Sequence, residues 1–172
     1  ERVDLWGQAN RAFKTKPIFG VGLGMIRDYT YASKAVHNAY VSCYAEIGIV
    51  GFFFWFSLIV VGILGLLQTR QALRGVTDPE GKWLYDFSAW GLAAMAGYAA
   101  SAFFISRAFV FPLYFLTAMM GAVPLLAKEY IEDDADTILG FSVKETTILG
   151  LPASVLAIVY VYIAIILLNM TR

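Results

Sequence analysis

"YAEIGIVGFFFWFSLIVVGILGLL", residues 44–67, is the stretch whose reading decides the fold. Apart from Glu46 it carries no charge from end to end. A helix rising ~1.5 Å per residue makes such a run long enough to cross a hydrocarbon core of ~30 Å. Three more blocks share its character: residues 87–105 (FSAWGLAAMAGYAASAFFI), 108–127 (AFVFPLYFLTAMMGAVPLLA) and 148–168 (ILGLPASVLAIVYVYIAIILL). Over the 172 residues, 59% are hydrophobic and the mean hydropathy is +0.66. Soluble domains run near ~45–50% apolar, and the polar sequence left here is too short to wrap four buried core helices. The expectation is an all-α fold, a polytopic membrane helical bundle with four spans.

Upstream of residue 44 the pattern changes. Leu5, Trp6, Ala9, Ala12 and Phe13 recur at helical spacing, with Arg2, Gln8, Arg11 and Lys14 over the rest of the surface, so residues 2–16 read as an amphipathic helix. Pro17 ends it. A basic helix carrying a Trp is the type that lies in the headgroup layer. The glycine-rich "PIFGVGLG" (17–24) follows, then a polar aromatic loop leading to His37, the one histidine of the chain. The predicted organisation is a surface helix and loop over 1–43, three spans within 44–127, an acidic linker over 128–147 and a fourth span over 148–172. The connection 68–86 is expected to turn at Asp78-Pro79-Glu80-Gly81, and Ser106-Arg107 to form a tight hairpin. The chain opens on Glu1, and its first span lacks the features of a signal peptide; this reads as the C-terminal piece of a larger membrane protein.

Cys43 stands alone, so no internal disulfide is possible, and one His with one Cys makes a poor metal site. No metal, cofactor or nucleic-acid partner is expected. A net charge of zero hides a segregation: residues 1–36 hold six basic side chains against three acids, while 128–136 (KEYIEDDAD) hold five acids against one lysine. With His37 outside, the inner loops hold Arg70, Arg74, Lys82, Lys128 and Lys144, which the positive-inside rule favours once the N-terminal segment is set aside. Basic residues left on the outer face then invite an anion.

At ~100° per residue, His37, Tyr44, Gly48, Gly51 and Trp55 fall within about 40° of one another on a continuous helix. Glycines cost helix stability, so the pair Gly48 and Gly51 reads as a seat for a closely packed neighbouring helix. Glu46 lies on the opposite face about 13 Å below His37; an acid at that depth needs a partner or a function, and a structural partner is the favoured reading. A boundary histidine is by default an interfacial polar residue, yet imidazole chemistry also suits taking a proton from a hydroxyl near neutral pH. "GVGLG" has neither the P-loop nor the dinucleotide-binding spacing; its glycines would let backbone turn tightly or approach a ligand.

"RVDLW", "FKTKPIFGVGLG" and "HNAYVSCYAEIGIVG", three ordered motifs within residues 2–51, resemble the signature region of the bacterial O-antigen ligase and O-antigen polymerase superfamily. The pattern His-Asn, nine residues, Gly, two residues, Gly is met in full from His37 to Gly51. The resemblance is strong over about 1–60, loose through the next two spans and absent after 128. It implies a metal-independent, multi-spanning glycosyltransferase of the bacterial inner membrane, moving a glycan from undecaprenyl diphosphate to an acceptor hydroxyl at the periplasmic face. The acceptor would be a glycan, lipid A core or a protein Ser/Thr. Carried over, His37 and Arg2 are the catalytic candidates. Asn38, Arg11, Lys14, Lys16, Arg27, Tyr44 and Arg107 are candidate substrate contacts, the basic ones equally suited to anchoring on lipid headgroups.

Chemically, a sugar on a lipid diphosphate already has a good leaving group, so the barrier is largely charge developing on that diphosphate. Guanidinium groups, always protonated and bidentate toward phosphate, can stabilise it. Two other classes compete. A lipid-linked sugar flippase should spread ionisable residues over several spans, with broken helices at the midplane; a non-catalytic assembly subunit would be indifferent to loss of His37.

Overall fold

The structure is a computed structural model that describes residues 2–106, 108–131 and 143–170. Among the described residues, five α-helices follow in order: α1 (Arg2–Thr15), α2 (Ala39–Ala72), α3 (Pro79–Ala102), α4 (Phe111–Ala127) and α5 (Val143–Met170). Short 3-10 turns cover Met25–Tyr29, Tyr31–Ser33 and Lys128–Tyr130, and no strand occurs among the described residues. The fold is therefore all-α, as the apolar blocks require.

Among the described residues, three stretches are long and apolar enough to cross a membrane: Ala39–Ala72, Phe111–Tyr130 and Thr146–Leu168. The second expected span, 87–105, falls on α3, which has the length but not the apolar character of the other three. Its first turns carry Glu80, Lys82 and Asp86, and the apolar block 87–105 outlasts the helix. Phe103 and Phe104 already donate to the carbonyls of Ala100 and Ser101, three residues back, which tightens and closes the helix end. Of the expected Ser106-Arg107 hairpin, Arg107 lies outside the described residues; residues 103–106 and 108–110 are not helical. Asp78-Pro79 also differs from the expected turn. The Asp78 carboxylate accepts the backbone N–H groups of Glu80 and Gly81, both at 2.9 Å, so it caps α3 with Pro79 as the first helical residue.

The chain packs as two compact units. One holds residues 1–56, 99–109 and 151–172. Its core joins Leu5, Ala9 and Ala12 of α1 to Val41, Tyr44 and Phe52 of α2. The Trp6 indole N–H donates to the carbonyl of Val36 at 2.9 Å, and its ring meets Phe103 edge-on. Phe13 sets its edge against Tyr44, whose hydroxyl donates to Asn10. The apolar face of α1 thus packs against protein, and its buried indole N–H finds a partner in the Val36 carbonyl.

The second unit holds residues 57–98 and 110–150. Leu66, Leu84, Met95, Leu113 and Met120 fill it. Arg70 lies over the Tyr85 ring, 4.2 Å from its centroid, and donates to the Tyr85 carbonyl, so the charge ends on a face that attracts cations. The Tyr130 hydroxyl donates to Glu80. The expected acidic linker falls largely on residues 132–142, outside the described residues.

Candidate functional site

Helix α2 is broken at Gly48, where φ is 68° and ψ −172°. A break leaves backbone groups without intrahelical partners, and in a buried segment each must be satisfied elsewhere. The glycine-rich stretch does this by exchange. The N–H groups of Ile49 and Val50, which in a continuous helix would bond Ala45 and Glu46, donate instead to Pro17 and Ile18 at 2.9 and 3.3 Å. The freed carbonyls of Ala45 and Glu46 accept from Val21 and Gly22 at 3.0 and 2.9 Å. The segment 17–22 is in effect spliced into one turn of the helix.

The splice explains the glycines. A Cβ on Gly48 would lie 2.2 Å from the Ile18 carbonyl oxygen, and one on Gly20 would lie 2.3 Å from the Glu46 carbonyl. Gly48 therefore admits a loop rather than the neighbouring helix its spacing suggested. Gly51 makes room for the side chain of Ile47 one turn back.

Above the break, Asn38 is fully buried and its Oδ1 accepts the N–H of Val41 at 3.1 Å, capping α2. His37, just before it, is exposed and holds a left-handed backbone at φ 53°. That conformation costs a non-glycine residue roughly 1 kcal/mol or more. Its N–H donates to the Ser106 hydroxyl, which offsets the cost.

These elements enclose a cavity of about 400 Å³. Its polar lining comes from Arg27, Ser42, Glu46 and Ser106; Leu23, Ile26 and Phe109 give it apolar walls. Glu46 is only 8% exposed. It shares the cavity wall with Gly24, Ile26 and Arg27. Ser42, one turn earlier on the same face, has a buried hydroxyl that meets no partner in the structure.

The expected site residues fare differently. Arg27 lines the cavity, and among the described residues it is the cation that does so. His37 is absent from the lining but adjoins it, since Ala35, Val36 and its hydrogen-bond partner Ser106 form the wall. Arg2 is exposed in the first turn of α1, one turn before Trp6, and does not line the cavity. Arg11, Lys14 and Lys16 are exposed on α1 and just after it, with the Lys14 ammonium over the Tyr162 ring at 5.3 Å. Asn38 and Tyr44 are buried: the Asn38 Oδ1 serves the cap while its Nδ2 meets no partner in the structure, and the Tyr44 hydroxyl donates to Asn10. Arg107 lies outside the described residues, between Ser106 and Ala108 of the lining. Sequence reasoning missed Ser42 and Ser106 and set Glu46 aside as structural. The spacing of Ser42 and Glu46, i and i+4, put them on one face; nothing pointed to Ser106.

Comparison with protein-family profiles, with curated proteins and with solved structures gives no match.

Proposed function

We propose that this chain forms part of a membrane glycosyltransferase that moves a glycan from an undecaprenyl diphosphate carrier to an acceptor hydroxyl. The reading places the reaction at the periplasmic face of a bacterial inner membrane, with a glycan, lipid A core or protein as acceptor. The observation that carries it is His37, held out in a left-handed conformation by Ser106 at the wall of a cavity that Arg27 also lines. An exposed imidazole on a strained backbone, next in sequence to the wall of a cavity that a guanidinium lines, suits transfer from a diphosphate.

In the proposed step the acceptor oxygen forms a bond to the anomeric carbon while the bond from that carbon to the phosphate oxygen breaks. The hydroxyl proton goes to the imidazole of His37, and the electron pair leaves with the lipid diphosphate. Arg27, fixed in charge at any working pH, stabilises the charge that develops there. Arg2 is a second guanidinium candidate, carried by the sequence resemblance and by its place one turn from Trp6.

The test is deletion in the host followed by gel profiling of surface glycan and glycoprotein. Loss of long chains marks a polymerase, unattached lipid-linked chains a ligase, and bare glycoprotein a protein glycosylase. An unchanged profile for all three refutes the transferase reading.

A further inference from the structure

We infer that the cavity beside His37 seats the acceptor and takes a pyranose ring, with Ser42 and Glu46 selecting a sugar hydroxyl over a protein one. The acceptor role rests on the transferase reading; the sugar site rests on the cavity itself.

Asn38, Ser42 and Glu46 recur every four residues, so they share one face at the start of α2. All three are buried, at 0%, 5% and 8% exposure, in a helix apolar enough to cross a membrane. Polar groups buried in this way are costly unless each finds a partner. The Ser42 hydroxyl and the Nδ2 of Asn38 find none in the structure. Asn38 stays out of the cavity wall, whereas Ser42 and Glu46 form part of it. Ser106 joins them there and bonds the backbone N–H of His37. The lining therefore offers two hydroxyls, one of them in want of a partner, and a carboxyl group, against apolar walls from Ile26 and Phe109.

That chemistry separates three ligand classes. A diphosphate suits Arg27, which is exposed, but an anion seated further in would meet the carboxyl group of Glu46 and be repelled. A protein Ser or Thr brings one hydroxyl on a short apolar stem. The reaction consumes that hydroxyl, and Ser42 and Glu46 are left unpaired. A pyranose brings several hydroxyls, each a donor and an acceptor. One can react while its neighbours bond Ser42 and Glu46, and the C–H faces of the ring pack on the apolar walls. A site built to bond hydroxyls rejects an analogue that lacks them, because its own buried polar groups then go without partners. The volume of about 400 Å³ lies at the small end of ligand pockets, ~300–1,000 Å³, as a single ring requires.

The experiment is saturation-transfer NMR on the full-length protein in lipid nanodiscs. The probes are the methyl α-glycosides of glucose, galactose and mannose, with N-acetylserine methylamide for comparison. The unaltered protein should bind at least one glycoside and prefer it to the serine amide. Ser42→Ala should weaken that binding about three- to tenfold, the worth of one neutral hydrogen bond. Its melting temperature should hold or rise, because the hydroxyl removed has no partner to lose. Glu46→Gln should weaken binding about tenfold, as loss of a charge-assisted bond does. No glycoside bound, equal binding by both variants, or preference for the serine amide overturns the inference. So does a melting temperature lowered by Ser42→Ala, which would make the hydroxyl a part of the fold. Deletion in the host judges the two layers separately. An unchanged profile refutes the transferase, and with it the acceptor role. A profile changed only to bare glycoprotein makes the acceptor a protein and overturns the inference, and a profile of altered surface glycan with no glycoside bound refutes the sugar site alone.

Discussion

The carbonyl oxygen of Ile18 lies 2.2 Å from the point a Cβ would occupy on Gly48. No side-chain rotation relieves that contact, since the oxygen is backbone and the position of a Cβ is fixed by its own backbone. Gly48→Ala must therefore expel the segment 17–22 from the helix break and strand the hydrogen bonds exchanged there. Each unsatisfied buried backbone group costs ~1–3 kcal/mol, and the positive φ adds ~1 kcal/mol. The expected outcome is loss of more than ~3 kcal/mol, seen as a sharp fall in melting temperature or failure to recover monodisperse protein from detergent. Gly97→Ala is the control: a Cβ there meets nothing within 4 Å, and its melting temperature should hold.

Trp6 ties α1 to the loop that presents His37. Its indole N–H donates to Val36 from a side chain that is largely buried. Trp6→Phe keeps much of the apolar contact with Phe103 but leaves the Val36 carbonyl without its donor. A cost of about 1–3 kcal/mol is expected, together with faster amide exchange or proteolysis near residues 31–37. An unchanged melting temperature would mean that the indole bond contributes nothing.

How much of this was legible in the sequence follows from the range of the forces involved. The start of α1 and its end before Pro17 were legible because apolar spacing and a missing N–H act locally. The long apolar runs were legible because lipid demands length. The end of α3 was not, since the apolar run continues through Phe103, Phe104 and Ile105 after the helix stops. Asp78-Pro79 was ambiguous because an N-cap with proline after it and a turn use the same residues. The break at Gly48 was invisible for a deeper reason: glycines at i and i+3 serve a packed helix and a spliced loop equally. Only the partner backbone from Pro17 to Gly22 distinguishes them. The cavity gathers Arg27, Ser42, Glu46 and Ser106 from segments far apart in the chain, and no local pattern reports such a meeting.

Asn38 tests whether the His-Asn pair divides its labour. Asn38 is fully buried and its Oδ1 caps α2 through Val41. Asn38→Ala should cost about 0.5–2 kcal/mol, the usual range for a lost N-cap. Asn38→Ser, which restores a capping oxygen, should recover most of it. Transfer activity should follow stability across the two variants. A fully stable Asn38→Ser protein without activity would instead assign the amide a direct part in the reaction.

His37 is the residue on which the proposed chemistry turns, and its backbone makes the usual alanine replacement ambiguous. At φ 53° an alanine is strained for reasons unrelated to the imidazole. Asparagine tolerates the left-handed region far better and keeps the N–H that donates to Ser106. It has no group able to take a proton near neutral pH. His37→Asn should therefore leave the melting temperature unchanged, within the ~0.5 kcal/mol typical of exposed positions. In membranes from the host it should lower glycan transfer by about a hundredfold or more, in the range general-base catalysis supplies. Full transfer by His37→Asn would mean that the left-handed turn serves only to start α2, and that the base lies elsewhere.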